Sequence, residues 1–166
     1  MATKAIVVQA PFEMPAITIP DFSNCDTLSI TSFGASMKNK DKTTRAIELA
    51  ITTINKKGGG TVLVPKGEWI TGKIHFKSNV NLHLAKGATL VFSDEPKEYL
   101  PPVHSTWEGY ECYNYSPLIY AYQCKNIALT GQGEIKAKMD IWKTWFKRVK
   151  GHMESLKRLY YLASYS

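Results

Sequence analysis

No run of apolar residues in this 166-residue chain approaches the ~18 positions that a membrane-crossing helix needs. The first residues, MATKAIVVQAPFEMP, hold one lysine and an apolar patch from Ala5 to Val8. That patch is shorter than the ~7–15-residue core of an export signal, and Gln9 and Pro11 follow it at once. The chain as written is therefore expected to carry no export signal. Cysteine is scarce: Cys25, Cys112 and Cys124 are an odd set with no CxxC spacing. They read as free or buried thiols, not as a disulfide framework or a metal site. His75, His83, His104 and His152 are scattered without paired spacing, which argues against zinc. Acidic residues are in the minority, 14 against 21 Lys and Arg, so the net charge is +7. The bases gather at Lys38–Lys42 and Lys136–Arg158. A solvated basic surface, a nucleic-acid patch and attraction to a polyanion such as an acidic polysaccharide all remain open on charge alone.

What is present is alternation. A length of 166 residues with 44% hydrophobic content suits one folded domain with a fair core. Residues 1–26 hold Pro11, Pro15 and Pro20 among apolar residues and predict an extended arm. Leu28 to Phe33 alternates like a strand and ends at Gly34. Thr43 or Thr44 is placed to cap a helix over 43–57, with Ala46, Ile47, Ala50, Ile51 and Ile54 on one apolar face. Gly58-Gly59-Gly60 stops it.

From Thr61 the period changes to two. TVLV, then Trp69-Ile70, Ile74 to Phe76, Val80 to Leu84 and Ala88 to Phe92 are short strands separated by Pro-Lys-Gly, Lys-Ser-Asn and Lys-Gly turns. NIALT at 126–130 and Glu134-Ile135 resume the same style. Asn79-Val80-Asn81-Leu82 resembles Lys125-Asn126-Ile127-Ala128-Leu129, and the turns are too irregular for consecutive two-residue hairpins. Both features favour a solenoid of stacked coils over a sandwich or barrel. The helix of 43–57 would then cover one open end. Residues 93–123, rich in Pro and Tyr, interrupt the repeat as a long excursion. Residues 137–166 predict two short amphipathic helices with basic polar faces, carrying Ile141, Trp142, Trp145, Phe146 and Val149, then Met153, Leu156, Leu159 and Tyr160.

GGGTVLVPKGEWITGKIHFKSNVNLHLAKGATLVFSDEPKEYLP, followed by WEGYECYNYSPLIYAYQCKNIALTGQGEI, resembles the N-terminal part of glycoside hydrolase family 28, the polygalacturonases and related pectin-degrading enzymes. The WEGxECYNYSPLIYA segment points to the bacterial branch, and the resemblance runs from about Pro11 to Lys157. It implies a mainly β fold: a right-handed parallel β-helix, with its N-terminal coils, an N-terminal cap helix and the C-terminal amphipathic helices. It also implies hydrolysis of galacturonan or rhamnogalacturonan by an inverting mechanism, in which one carboxylic acid protonates the leaving oxygen and a carboxylate activates water. No metal or cofactor is implied. The implied partner is pectin, an acidic plant polysaccharide, with no nucleic acid and no membrane. Family members are usually secreted or periplasmic; compartment and oligomeric state are not set by the sequence.

The chain departs from the family pattern in two ways. Met37-Lys38-Asn39 stands where members carry Gly-Asp-Gly, with Asn39 able to take a left-handed turn and Met37 only at a cost. The Asn-Thr-Asp, Asp-Asp, Gly-His-Gly and Arg-Ile-Lys segments are missing from these 166 residues, and Asp94-Glu95 belongs to the SDEP segment instead. No catalytic residue is therefore assigned, and the chain reads as part of a longer enzyme that is inactive alone. A non-catalytic carbohydrate-binding or structural β-helix module and a truncated product without function remain as alternatives. The candidate substrate-binding cluster is Trp107, Glu108, Glu111, Tyr113, Asn114 and Tyr115, whose aromatic faces and polar edges suit sugars. Packing of the tyrosines against the coils competes with that reading. Glu68 beside Trp69 reads as a surface residue near a packed ring. His83, with no Ser, Cys or carboxylate neighbour, reads as solvent-facing or stacked rather than as a general base.

Overall fold

The computed structural model describes residues 3–6 and 10–148. The second predicted amphipathic helix, His152 included, lies outside the described residues. The first strands, β1 (Thr3–Ile6) and β2 (Ile17–Pro20), pair antiparallel, Thr3 opposite Pro20 and Ile6 opposite Ile17. The segment expected as a plain extended arm is thus a hairpin, because its prolines fall in the connection or at a strand end, where no ladder donor is needed.

Strand β3 (Thr27–Ser29) is shorter than the alternation of LSITSF predicts. The Ser29 hydroxyl accepts from the Thr31 amide and turns Ile30–Phe33 into a single 3₁₀ turn, closed by Gly34 at φ 84°. Helix α1 (Lys40–Lys56) follows. Its N-cap is Asn39, whose Oδ1 accepts from the Lys42 amide at 2.9 Å, and not Thr43 or Thr44. Thr43 is buried, and its hydroxyl donates to the Ser36 carbonyl at 2.8 Å. Asn39 has φ −142° and neither it nor Met37 is left-handed, so the Met-Lys-Asn departure carries no backbone strain.

The remaining strands wind in coils. Strands β4 (Gly60–Val64), β5 (Gly67–Thr71) and β6 (Ile74–His75) make one turn, and β7 (Val80–Leu84) and β8 (Ala88–Phe92) begin the next. A second 3₁₀ turn, Pro96–Tyr99, opens the excursion, which carries a hairpin of β9 (Val103–Trp107) and β10 (Tyr110–Asn114). The excursion is shorter than expected: β11 (Ile119–Tyr120) already belongs to the coil and pairs parallel with β6. Strands β12 (Ala128–Gly131) and β13 (Glu134–Ala137) complete the described coils.

Every one of these coil pairings is parallel. One sheet has the order β12-β7-β4-β3, a second β13-β8-β5, and a third β11-β6. Parallel strands need long crossovers, and here the rest of each coil is the crossover. Register then builds apolar columns: Leu28, Val62, Leu82 and Leu129 stack through the first sheet, and Trp69, Leu90 and Ile135 through the second. Val62, Val80, Leu82, Leu90 and Phe92 are fully buried between the sheets. Helix α1 lays Ile47, Ala50, Ile51 and Ile54 onto the same core, and Ala46 on the same stripe is buried as well. Asn79 and Asn126 repeat one turn: both are left-handed, at φ 63° and 52°, and their side chains bond at 3.0 Å.

Two features fix the flank. Tyr99 is buried, and its hydroxyl donates to the Ser93 carbonyl. Residues 140–148 are helical, and Trp142 meets Tyr99 edge-on at 5.6 Å and Tyr115 at 5.9 Å. This helix therefore packs on the excursion. It does not cover the last described coil, where Leu129 is 48% and Ile135 41% exposed.

Truncating Leu82 removes a fully buried side chain from the middle of a column. Leu82→Ala is expected to cost about 2–5 kcal/mol in a denaturant melt. Gly131 has φ 107°, and a Cβ there would collide with the Leu84 carbonyl. Gly131→Ala is expected to destabilise by about 1–3 kcal/mol in the same assay. Burial, aided by the Glu98 and Asp94 carboxylates, pushes the Tyr99 phenol up to about 12. Above its ordinary value of 10.0 the unfolded chain loses that proton while the folded chain keeps it, so stability is lost as pH rises from 10.0 to about 12. Melts from pH 9 upward should show that loss, and Tyr99→Phe should lessen it.

Candidate functional site

The hairpin of the excursion decides where the predicted cluster goes. In an antiparallel pair, directly opposed residues share a face and successive residues alternate. Glu111 opposes Thr106 and Tyr113 opposes His104, so these four lie on one face. Trp107 opposes Tyr110 and Asn114 opposes Val103, on the other. Glu108 sits in the turn at φ 49°. Tyr115 leaves the hairpin altogether and packs edge-on against Trp142 and Trp145, each at 5.9 Å. The six residues do not form one site: Glu111 and Tyr113 come together, while Trp107, Glu108 and Asn114 are apart from them and Tyr115 has a packing role.

The Glu111 face is part of a longer row of rings. Tyr113 meets His104 edge-on at 5.8 Å, His104 meets Tyr122 at 5.1 Å, Tyr122 stacks on Tyr120 at 6.1 Å with planes 9° apart, and Tyr120 meets His75 at 5.1 Å. The Tyr120 hydroxyl donates to the His104 carbonyl at 2.8 Å, tying the coil strand β11 to β9. Glu111 Oε2 lies 3.7 Å from His104 Nε2. Tyr113 and Tyr122 are well exposed, at 76% and 48%. Such a row offers flat apolar faces flanked by a carboxylate, phenols and imidazoles, a surface suited to sugar rings. In the sequence His75 and His104 figure only as histidines too scattered for zinc, and Tyr120 and Tyr122 are not singled out. Only the fold brings β6, β9 and β11 side by side; the Tyr-x-Tyr spacing at 120–122 was the one local signal.

At the His75 end the row meets a cleft of about 470 Å³ between α1, the β5–β6 turn and the 3₁₀ turn of the excursion. Its walls include Arg45 and Glu48 from α1, Lys73 and His75 from the β5–β6 segment, and Glu98. Ile47, Ile51 and Ile74 form an apolar floor. Lys40 holds Glu98 Oε1 in an ion pair, while Glu98 Oε2 is buried without a hydrogen-bond partner. The Lys73 ammonium donates to the Leu100 carbonyl, and burial lowers its pKa, opposed by Glu48. Burial first, then Lys73, also lowers the pKa of His75, with Glu48 opposing, so its imidazole is neutral at pH 7. His75 Nε2 is 3.0 Å from the Ser116 hydroxyl.

The other residues weighed from sequence fall outside this area. Trp69 is buried, and its indole donates to the Pro65 carbonyl at 2.8 Å, whereas Glu68 points outward beside it. His83 joins an outward polar ladder: its Nδ1 is 2.8 Å from the Thr130 hydroxyl, which donates to Asn81 Oδ1 at 2.9 Å. Asn81 in turn donates to the Thr61 hydroxyl at 3.2 Å, so the ladder crosses three coils. Among the described residues, no three His, Cys, Asp or Glu side chains are grouped to hold a metal ion.

No family model matches the chain. A probable polygalacturonase of Vitis vinifera is 26% identical over 122 residues, 69% of this chain and 25% of its own length. A hyperthermoactive exopolygalacturonase of Thermotoga maritima superimposes with a TM-score of 0.65 and 40% identity, over 71% of this chain and 26% of that one. The family 28 exopolygalacturonase of Yersinia enterocolitica gives a TM-score of 0.60 and 28% identity, over 72% and 22%. The chain thus spans about a quarter of the length of each of these three relatives. Over most of its described length it resembles the N-terminal portion of glycoside hydrolase family 28, the polygalacturonases.

Proposed function

We propose that this chain is a portion of a pectin-degrading glycoside hydrolase, contributing the first coils of a right-handed parallel β-helix and a polysaccharide-contacting flank. The observation that carries the reading is the 40% identity to an exopolygalacturonase over 71% of this chain, whose described coils pair in parallel. Helix α1 serves as the cap of that stack: its buried apolar stripe shields core residues that the first coil would otherwise expose. The complete enzyme would hydrolyse galacturonan or rhamnogalacturonan with two carboxyl groups across the scissile bond. In this reading those groups are contributed by other coils, since the inward strand positions among the described residues, Val62, Trp69, Leu82, Leu90 and Phe92 for example, hold no carboxylate. By itself the chain binds the polymer and does not cut it.

The exposed ring row also favours the second reading, a non-catalytic carbohydrate-binding module, because Tyr113 and Tyr122 are well exposed within it. In both readings the polysaccharide lies along the Glu111–Tyr113 face of the hairpin. The net charge of +7 favours approach of a polyuronate.

Purified chain incubated with polygalacturonate should bind it and release no reducing ends. Tyr113→Ala should weaken binding about five- to tenfold, the loss of one stacking contact. Hydrolysis by the purified chain would overturn the claim of inactivity. A larger loss with Trp107→Ala than with Tyr113→Ala would move the contact to the opposite face of the hairpin.

A further inference from the structure

We infer that the cleft between α1, the β5–β6 turn and Glu98 is a separate binding site for a single sugar acid, a uronate. The inference rests on the polyuronate reading for the choice of acid, and on the cleft's own chemistry for the rest. Four observations converge. The cleft has about 470 Å³, within the usual range for a small-molecule site. Its floor of Ile47, Ile51 and Ile74 suits the apolar face of a sugar ring.

Neither of its two cations makes an ion pair among the described residues. Arg45 stands without one, and Lys73 donates to the Leu100 carbonyl while Glu48 acts on it only through space. Both are therefore available to a ligand carboxylate, with Arg45 able to take it in a fork. The fourth observation is an acceptor left over. Glu98 Oε2 is buried in the wall with no donor, whereas buried acceptors in folded proteins are normally paired. A ligand hydroxyl supplies that donor. Glu48, exposed on the α1 side, supplies a second acceptor. A carboxylate and several hydroxyls on one small ring match two cations without an ion pair and the three carboxylate acceptors Asp41, Glu48 and Glu98 better than a neutral sugar or a simple anion does.

The lining residues come from α1, the first full coil and the base of the excursion. The site is thus complete within the described residues and lies off the outward ladder of Asn81 and His83. His75 borders the cleft and also ends the ring row. A polymer lying along the row would have one end directed toward the cleft.

The test is a titration of the whole folded chain with free galacturonic acid, read by amide chemical shifts, with galactose as the neutral match. Saturable shifts should centre on Arg45, Lys73 and Gly72, and galactose should bind at least tenfold more weakly. Arg45→Gln, at an exposed position, should weaken galacturonate at least fivefold without lowering the melting temperature; Lys73→Gln should weaken it as well. Tyr113→Ala should leave monomer binding unchanged. Absence of saturable binding, equal binding of galactose, or indifference to Arg45→Gln would overturn the inference. If the chain binds polygalacturonate while the monomer fails, the cleft assignment falls and the polysaccharide reading stands. If the monomer binds with Arg45 dependence while the polymer does not, the reverse holds.

Discussion

Register between parallel strands is the constraint on which the rest of this structure depends. Val62 lies on Leu82 and Leu82 on Leu129; Trp69 lies on Leu90 and Leu90 on Ile135. A slip of one residue in any rung would turn its inward set outward, because side chains alternate with period two. The core is therefore specified coil by coil. It is closed on one side by the apolar stripe of α1, and it ends among the described residues at the half-exposed Leu129 and Ile135.

The flank is held differently, by a few polar and aromatic ties. Lys40 pairs with Glu98, Lys73 donates to Leu100, Tyr99 is buried against Ser93, and Trp142 and Trp145 pack on Tyr99 and Tyr115. These ties join the excursion to α1 and to the helix of 140–148. They also shape the two surfaces proposed to bind carbohydrate: the ring row from Tyr113 to His75, and the cleft that begins where the row ends. Coils supply rigidity and the excursion supplies chemistry, the common division of labour between scaffold and loop.

Much of the coil stack was legible in the sequence. The change of period at Thr61, the Gly triplet and the likeness of Asn79–Leu82 to Asn126–Leu129 correspond to strands β4, β7 and β12 and to two left-handed asparagines stacked on one another. What escaped was decided by side chains competing for backbone groups or by distant pairing. Ser29 capped a 3₁₀ turn where alternation promised more strand, and Asn39 outcompeted Thr43 for the helix cap because Thr43 was needed to bind Ser36. The candidate sugar cluster was read as one group because its residues are adjacent in sequence. A strand puts adjacent residues on opposite faces, so Tyr113 was separated from Asn114 and joined to His104, nine positions away. Beyond their Tyr-x-Tyr spacing, nothing local announces that Tyr120 and Tyr122 line up with His75.

Amide hydrogen exchange on the full chain tests the coil register most directly. If parallel rungs hold the molecule together, amides of Val62, Leu82 and Leu90, paired or packed between neighbouring coils, exchange last and together, while those of Thr106 and Cys112 in the excursion hairpin exchange sooner. Hairpin amides outlasting those of β7 and β8 would contradict a fold built on stacked coils.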